Sequence, residues 1–337
     1  MTQPRSARTP TKRPIARKSN AATDHLQKIT ATLRGNLERC ATDPDIDPVH
    51  DVRTGTRRLE AMIEAILRER GNDNSLQQTA DEWLGALKKM RRAAAPVRDL
   101  DVHRKLLQKL TKEESKEAVP GSGDAASVAA APEAEEADAN LPANRIAKQA
   151  EHLDAWLRHA RQHNAEALKK RAGKLFSKFD DEASAFALAL KEAPHTRRRP
   201  RSAAVVALES FARLVHEMHH LDANNLHDFR KGAKKARYIA ESAAEDAHAI
   251  TIGKALKRLQ DDIGDWHDWL VLAEEARTAL GDEGEDLIAL LDGERERHYA
   301  LAMKTVNRLR GRLLGEWLAM SQPRRRLPAT ARHKSSS

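Results

Sequence analysis

One short pattern occurs twice in the chain and constrains its architecture more than any other feature. Val49-His50-Asp51-Val52-Arg53 leads through Gly55 to Arg57-Arg58, and at an offset of 177 Leu226-His227-Asp228-Phe229-Arg230 leads through Gly232 to Lys234-Lys235 and Arg237. Both copies read apolar-His-Asp-apolar-Arg, with a glycine in the same slot and a basic pair behind it. Two further correspondences share an offset of 169: Leu87-Lys88-Lys89-Met90 answers to Leu256-Lys257-Arg258-Leu259, and Arg98-Asp99-Leu100-Asp101-Val102 to His267-Asp268-Trp269-Leu270-Val271. A repeat of this kind implies a duplication, with a first half over about 21–192 and a second over about 201–320.

The fold class follows from periodicity and from what is scarce. Of 337 residues only 15 are Gly and 13 Pro, and aromatics make up 4%, so Ala, Leu, Glu, Lys and Arg leave helix as the default. Leu26, Ile29, Leu33 and Leu37 recur at three and four, predicting a first helix over about 22–40. A second is expected from Pro48 to about Glu69, a third from Leu76 to about Ala95, and a fourth opened by Pro96 through Leu110. A further helical stretch runs from Pro142 to Lys191, and the second half is expected to carry helices over 205–220, 224–244, 250–263, 266–280 and 283–320. The expectation is an all-α protein of two pseudo-symmetric helical bundles.

The charge needs to be located before it is interpreted. Formal net charge is +9, but residues 1–20 hold six Lys/Arg and 321–337 hold five, with no acid in either stretch. Removing these eleven from 59 leaves 48 basic against 50 acidic residues, so two basic tails, read as disordered, carry the excess. Residues 113–141 hold eight acids and one Lys, with too few large apolar residues to bury a face, and read as a disordered acidic loop. Pro194 to Pro200 reads as a hinge. The single cysteine, Cys40, fits a reducing compartment, and no apolar run approaches the roughly 20 residues that span a bilayer. A soluble cytoplasmic protein is expected.

On a helical wheel the repeated stretch segregates. Val49, Val52, Thr56, Leu59, Ile63 and Ile66 fall on one stripe, with His50, Arg53 and Arg57 along its edge and Arg58 pointing elsewhere. Leu226, Phe229, Ala233, Ala236 and Ala240 form the second stripe, edged by His227, Arg230, Lys234 and Arg237. Charge runs are ordinarily solvated faces, but like charges at i,i+4, as in Arg53/Arg57 and Arg230/Lys234, cost a few tenths of a kcal/mol. Glu60, Glu64 and Glu241 stand where they can relieve part of that. The third helix adds Lys88, Lys89, Arg91 and Arg92, and its counterpart adds Lys254, Lys257 and Arg258. Clusters of this kind expect an anion: guanidinium forks and helix N-termini suit phosphate oxygens. Base-reading platforms and the known DNA-binding signatures are missing, so a phosphate chain without bases fits better than a nucleic acid.

These residues resemble the CHAD domains, the conserved-histidine α-helical domains. The resemblance rests on His50-x-x-Arg53-x-x-x-Arg57-Arg58, on Arg98-Asp99-Leu100-Asp101-Val102, and on His227-x-x-Arg230-x-x-x-Lys234-Lys235-x-Arg237-Tyr238, and it covers about residues 21–320. It implies two helical bundles about a pseudo-twofold axis and non-catalytic binding of inorganic polyphosphate in a basic groove between them, with association with polyphosphate or storage granules. It implies contacts at His50, Arg53, Arg57, Arg58, Lys88, Lys89, Arg98, His227, Arg230, Lys234, Lys235, Arg237, Lys257 and Arg258. The chain departs from symmetry where Glu60 stands opposite Arg237, Arg91 and Arg92 opposite Gln260 and Asp261, and Arg98 opposite His267. The acidic segment is expected to compete for the groove as an internal polyanion mimic.

Sharper chemistries fit less well. His216-Glu217-Met218-His219-His220 satisfies a zinc-gripping pattern, but no downstream Gly-x-x-His follows and no strand is expected to hold a peptide, so no metal is expected. Glu294-Arg295-Glu296-Arg297-His298 lacks the lysine of the triphosphatase motif found in some relatives, and no phosphate loop or nucleophile elbow is present. A binding module without cofactor is expected over an enzyme. The rival expectation is a nucleic-acid-binding or granule-scaffold protein acting through the basic tails.

Overall fold

A computed structural model describes residues 16–70, 73–117, 141–193, 202–241, 243 and 246–321. The described residues are all-α, with no strand among them: α1 (Ala16–Thr42), α2 (Ile46–Arg70), α3 (Asn74–Glu117), α4 (Leu141–Glu192), α5 (Ala203–Glu217), α6 (Leu226–Glu241), α7 (Ala247–Leu280), a 3-10 turn (Gly281–Gly284) and α8 (Glu285–Ser321). The greater part of the expected tails, residues 118–140 of the acidic segment and the 194–200 hinge lie outside the described residues. Residues 16–20 and 113–117, expected to be disordered, are helical. Ala, Arg, Lys and Glu are good helix formers and extend a helix beyond its last apolar anchor. Lys109 and Glu113 support the second extension as an i,i+4 pair at 3.7 Å.

Two expected breaks are also absent. Pro96 lies inside α3 rather than opening a new helix, and Gly264 lies inside α7. In each case one apolar stripe passes through the break. Leu87, Met90, Ala94, Val97 and Leu100 are buried across Pro96, and Leu256, Leu259, Ile263, Trp266 and Trp269 across Gly264. The exposed Pro96 ring sits away from the core, so packing on both sides outweighs the lost backbone donor, a cost of about 3 kcal/mol. α7 begins with Asp246 as its N-cap, accepting from the backbone N–H of His248 and Ala249. Those bonds hold the Asp246 carboxyl below its ordinary range. The helix ends at Gly281, where φ of 53° requires a residue without a β-carbon penalty.

The chain forms two compact units. The first comprises 1–101 and 160–196, the second 102–159 and 197–337. In the first, α1, α2, 74–101 of α3 and 160–192 of α4 surround one core, in which Trp83 meets Phe186 at 5.3 Å and Phe179 at 6.2 Å. Such aromatic pairs add about 0.5–1.5 kcal/mol each beyond area burial. Arg161 ties α4 to Asp101 at 2.7 Å and to the Pro44 carbonyl at 3.0 Å. In the second unit α5 to α8 enclose Phe211, Phe229, Trp266 and their neighbours. The rest of that unit buries Leu107, Leu153, Leu157, Leu272 and Leu287 and adds polar contacts: His103 Nδ1 with Glu275 at 2.7 Å, Arg104 with Asp154 at 2.8 Å, and Gln149, which donates to the Glu283 carbonyl and accepts from Leu287 N–H.

The motif glycines have one packing role in both units. A β-carbon on Gly55 would stand 3.1 Å from Leu33 Cδ1 of α1, and one on Gly232 only 2.4 Å from Leu214 Cδ1 of α5. Each glycine lets its motif helix close on the helix before it, which sets the depth of the basic edge against the core.

Candidate anion-binding faces

In the first unit the α2 stripe lies as the wheel predicts: Val49, Val52, Thr56, Leu59, Ile63 and Ile66 are all buried. That burial leaves His50 and Arg58 exposed and Arg53 and Arg57 half-buried at the margin. Arg53 reaches α3, where its Nη1 donates to the Ala95 carbonyl at 3.2 Å and pairs with Asp99. The Arg53 side chain is 19% exposed against 53% for Asp99, so the arginine is the anchored partner and its charge is partly matched. Arg91 is matched more fully. Its two terminal nitrogens fork onto both Glu60 oxygens at 2.6 and 3.4 Å, clamping α3 to α2.

The remaining α3 cations are different. Lys88, Lys89 and Arg92 are exposed within a single turn and Arg98 is half-buried, and none of them is in an ion pair among the described residues. Unit one therefore presents unmatched positive charge at α3, with Arg58 and His50 available from α2.

The second unit repeats the stripe, with Leu226, Phe229, Ala233, Ala236 and Ala240 buried. His227 stacks on His267 of α7 with centroids 4.1 Å apart, and its Nδ1 is buried without a hydrogen-bond partner. Burial, then Lys231, Arg230 and Lys234, push its pKa below the ordinary histidine value. Arg230 Nε donates to the Gln260 carbonyl at 3.0 Å, and its guanidinium lies against Gly264, where a β-carbon would stand 2.5 Å from Nη2.

Most other cations of this unit carry an acid close by. Arg237 pairs with Glu241 at 3.1 Å and covers the Tyr238 ring at 4.9 Å, Lys257 pairs with Asp261, and Arg258 stands 3.7 Å from Asp262. Lys254, Lys257 and Arg258 line a shallow depression together with those aspartates. Lys234 is half-buried, while Lys235 and Lys254 are exposed. The departures from symmetry seen in the sequence thus have a physical counterpart, because Asp261 stands where α3 has Arg92.

The cross-helix partners Asp99 and Glu60 and the close approach at Gly264 are what residue patterns alone do not reveal. His216, His219 and His220 are exposed, and among the described residues no group of three His, Cys, Asp or Glu is placed to hold a metal ion. No helix among them is long and apolar enough to cross a membrane.

All-α packing with a histidine-led, cation-edged helix in each unit defines the class as a helical domain. The chain belongs to the CHAD domain family, whose model matches residues 24–277. Comparison with curated proteins finds no match.

Proposed function

We propose that the protein binds inorganic polyphosphate through these basic helix faces, without catalysing its turnover, in the cytoplasm and at polyphosphate or storage granules. The observation that carries this reading is the cluster of exposed cations Lys88, Lys89 and Arg92 on α3, beside the motif helix and in no ion pair among the described residues, in a chain of the CHAD family. A flexible polyanion without bases asks only for spaced cations, which lysines supply as point charges and arginines as forks. The second unit contributes through His227 and Lys235, and its acid-paired cations bind only by exchanging a carboxylate for phosphate.

The eleven cations of the two terminal stretches support a second reading, nucleic-acid binding or granule scaffolding by the tails. Deleting 1–20 and 321–337, which hold all eleven, separates the two. Polyphosphate affinity should survive that deletion and fall at least tenfold in Lys88→Ala/Lys89→Ala/Arg92→Ala, whereas the reverse pattern would assign binding to the tails.

A further inference from the structure

α4 carries a run of cations that no motif includes. Residues 167–179 contain Lys169, Lys170, Arg171, Lys174 and Lys178 and no acid. All five are exposed, and none is in an ion pair among the described residues. At 100° per residue Lys170, Lys174, Lys178 and Arg171 fall within an arc of about 100°. Leu168, Ala172 and Phe179 are buried in the core of the first unit. The i,i+4 pairs Lys170/Lys174 and Lys174/Lys178 are like-charged and cost about 0.2–0.5 kcal/mol each. Within the run only Arg171 and Lys174 have no carboxylate three or four residues away; Glu166 precedes Lys169 and Lys170, and Asp181 and Glu182 follow Lys178.

Glu182 connects this stripe to the α3 cluster. It lies one turn beyond Lys178, and its Oε2 is buried without a hydrogen-bond partner. Burial pushes its carboxyl pKa up, while Lys178 of α4 and Lys89 of α3 pull it down. Glu82 of α3 and Asp181 of α4 raise it further, so each helix brings a cation and a carboxylate to this point, and neither cation grips Glu182.

We infer that the α4 stripe extends the polyphosphate site of the first unit: a long chain held by Lys88, Lys89 and Arg92 continues past Glu182 onto Lys178, Lys174, Arg171 and Lys170. The inference rests on the polyphosphate reading and adds a determinant of chain length. Lys170 and Lys178 are about 12 Å apart along the axis, so a short oligophosphate seated at α3 leaves the far end empty. Glu182 opposes the passing chain, so Glu182→Gln strengthens binding.

The test uses the full chain with tripolyphosphate, long-chain polyphosphate and an oligothymidylate over a salt series. Lys170→Ala/Arg171→Ala/Lys174→Ala/Lys178→Ala should weaken long-chain binding about tenfold and flatten the log–log salt slope by roughly 2 to 3, at about 0.7 per phosphate contact. Tripolyphosphate affinity should not move. Glu182→Gln should tighten long-chain binding roughly two- to fivefold, the weight of one nearby charge at the surface. A quadruple variant with wild-type long-chain affinity and slope would overturn the inference and leave the proposed function standing. Loss confined to the oligothymidylate would overturn it in favour of nucleic acid, and a wild-type chain that binds no polyphosphate would overturn both. The substituted residues are exposed and alanine favours helix, so an unchanged thermal melt shows that the variant is folded.

Discussion

Arg53 and Arg230 hold the same place in the repeated pattern, yet each meets its neighbouring helix differently. Arg53 is pinned by the Ala95 carbonyl and Asp99, whereas Arg230 bonds the Gln260 carbonyl and lies against Gly264. Gly264→Ala should therefore displace the Arg230 guanidinium at little net cost in stability. A helix-propensity gain of about 1 kcal/mol offsets much of a lost charge-assisted hydrogen bond of about 1.5–3 kcal/mol. The expected result is a melting temperature within a few degrees of wild type and weaker polyphosphate binding; unchanged binding would show that the seat of Arg230 does not matter.

His227 gives a pH dependence. Its folded pKa is depressed, so between that value and the unfolded value near 6.5 the unfolded chain binds more protons, and stability falls as pH drops through that window. A polyanion beside the imidazole favours its charged form, so binding should take up a proton and strengthen as pH falls toward the depressed value of the free protein. Calorimetry in buffers of different ionisation enthalpy measures that uptake, and His227→Ala should reduce it. At Cys40, burial pushes the thiol up to about 12, so alkylation of the native protein should proceed only on unfolding.

At the scale of elements, the two motif glycines are unequal. Gly232→Ala would press a methyl group into Leu214, a crowding that costs about 1–3 kcal/mol, whereas Gly55→Ala meets Leu33 at 3.1 Å and should be near neutral. Equal denaturation midpoints for the two variants would contradict this packing. Pro96→Ala restores a backbone donor to an exposed position and should stabilise α3 by up to about 3 kcal/mol, read in a urea melt.

Both buried motif stripes were legible in the sequence because period is a local property. The continuity of α3 and α7 was not, because Pro96 and Gly264 are local break signals that lose to an uninterrupted apolar stripe on the far side of the helix. Cross-helix pairs such as Arg91–Glu60 depend on packing register, which no single segment encodes, so the residue types of the candidate site could be read while their state of pairing could not.

For the whole molecule the decisive quantity is where charge stays unmatched. Net charge points to the two ends of the chain, but the exposed α3 cations of the first unit lie in a body that is close to neutral. A neutral body with a local cation cluster attracts a polyanion to that cluster rather than to the molecule at large, and salt weakens the attraction steeply. The most direct measurement is the polyphosphate affinity of the tail-deleted chain over a salt series, with and without Lys88→Ala/Lys89→Ala/Arg92→Ala. Binding should persist without the tails, decline steeply with salt and fall at least tenfold in the triple variant. A tail-deleted protein that loses polyphosphate, or a triple variant that binds it like the parent, would contradict that expectation.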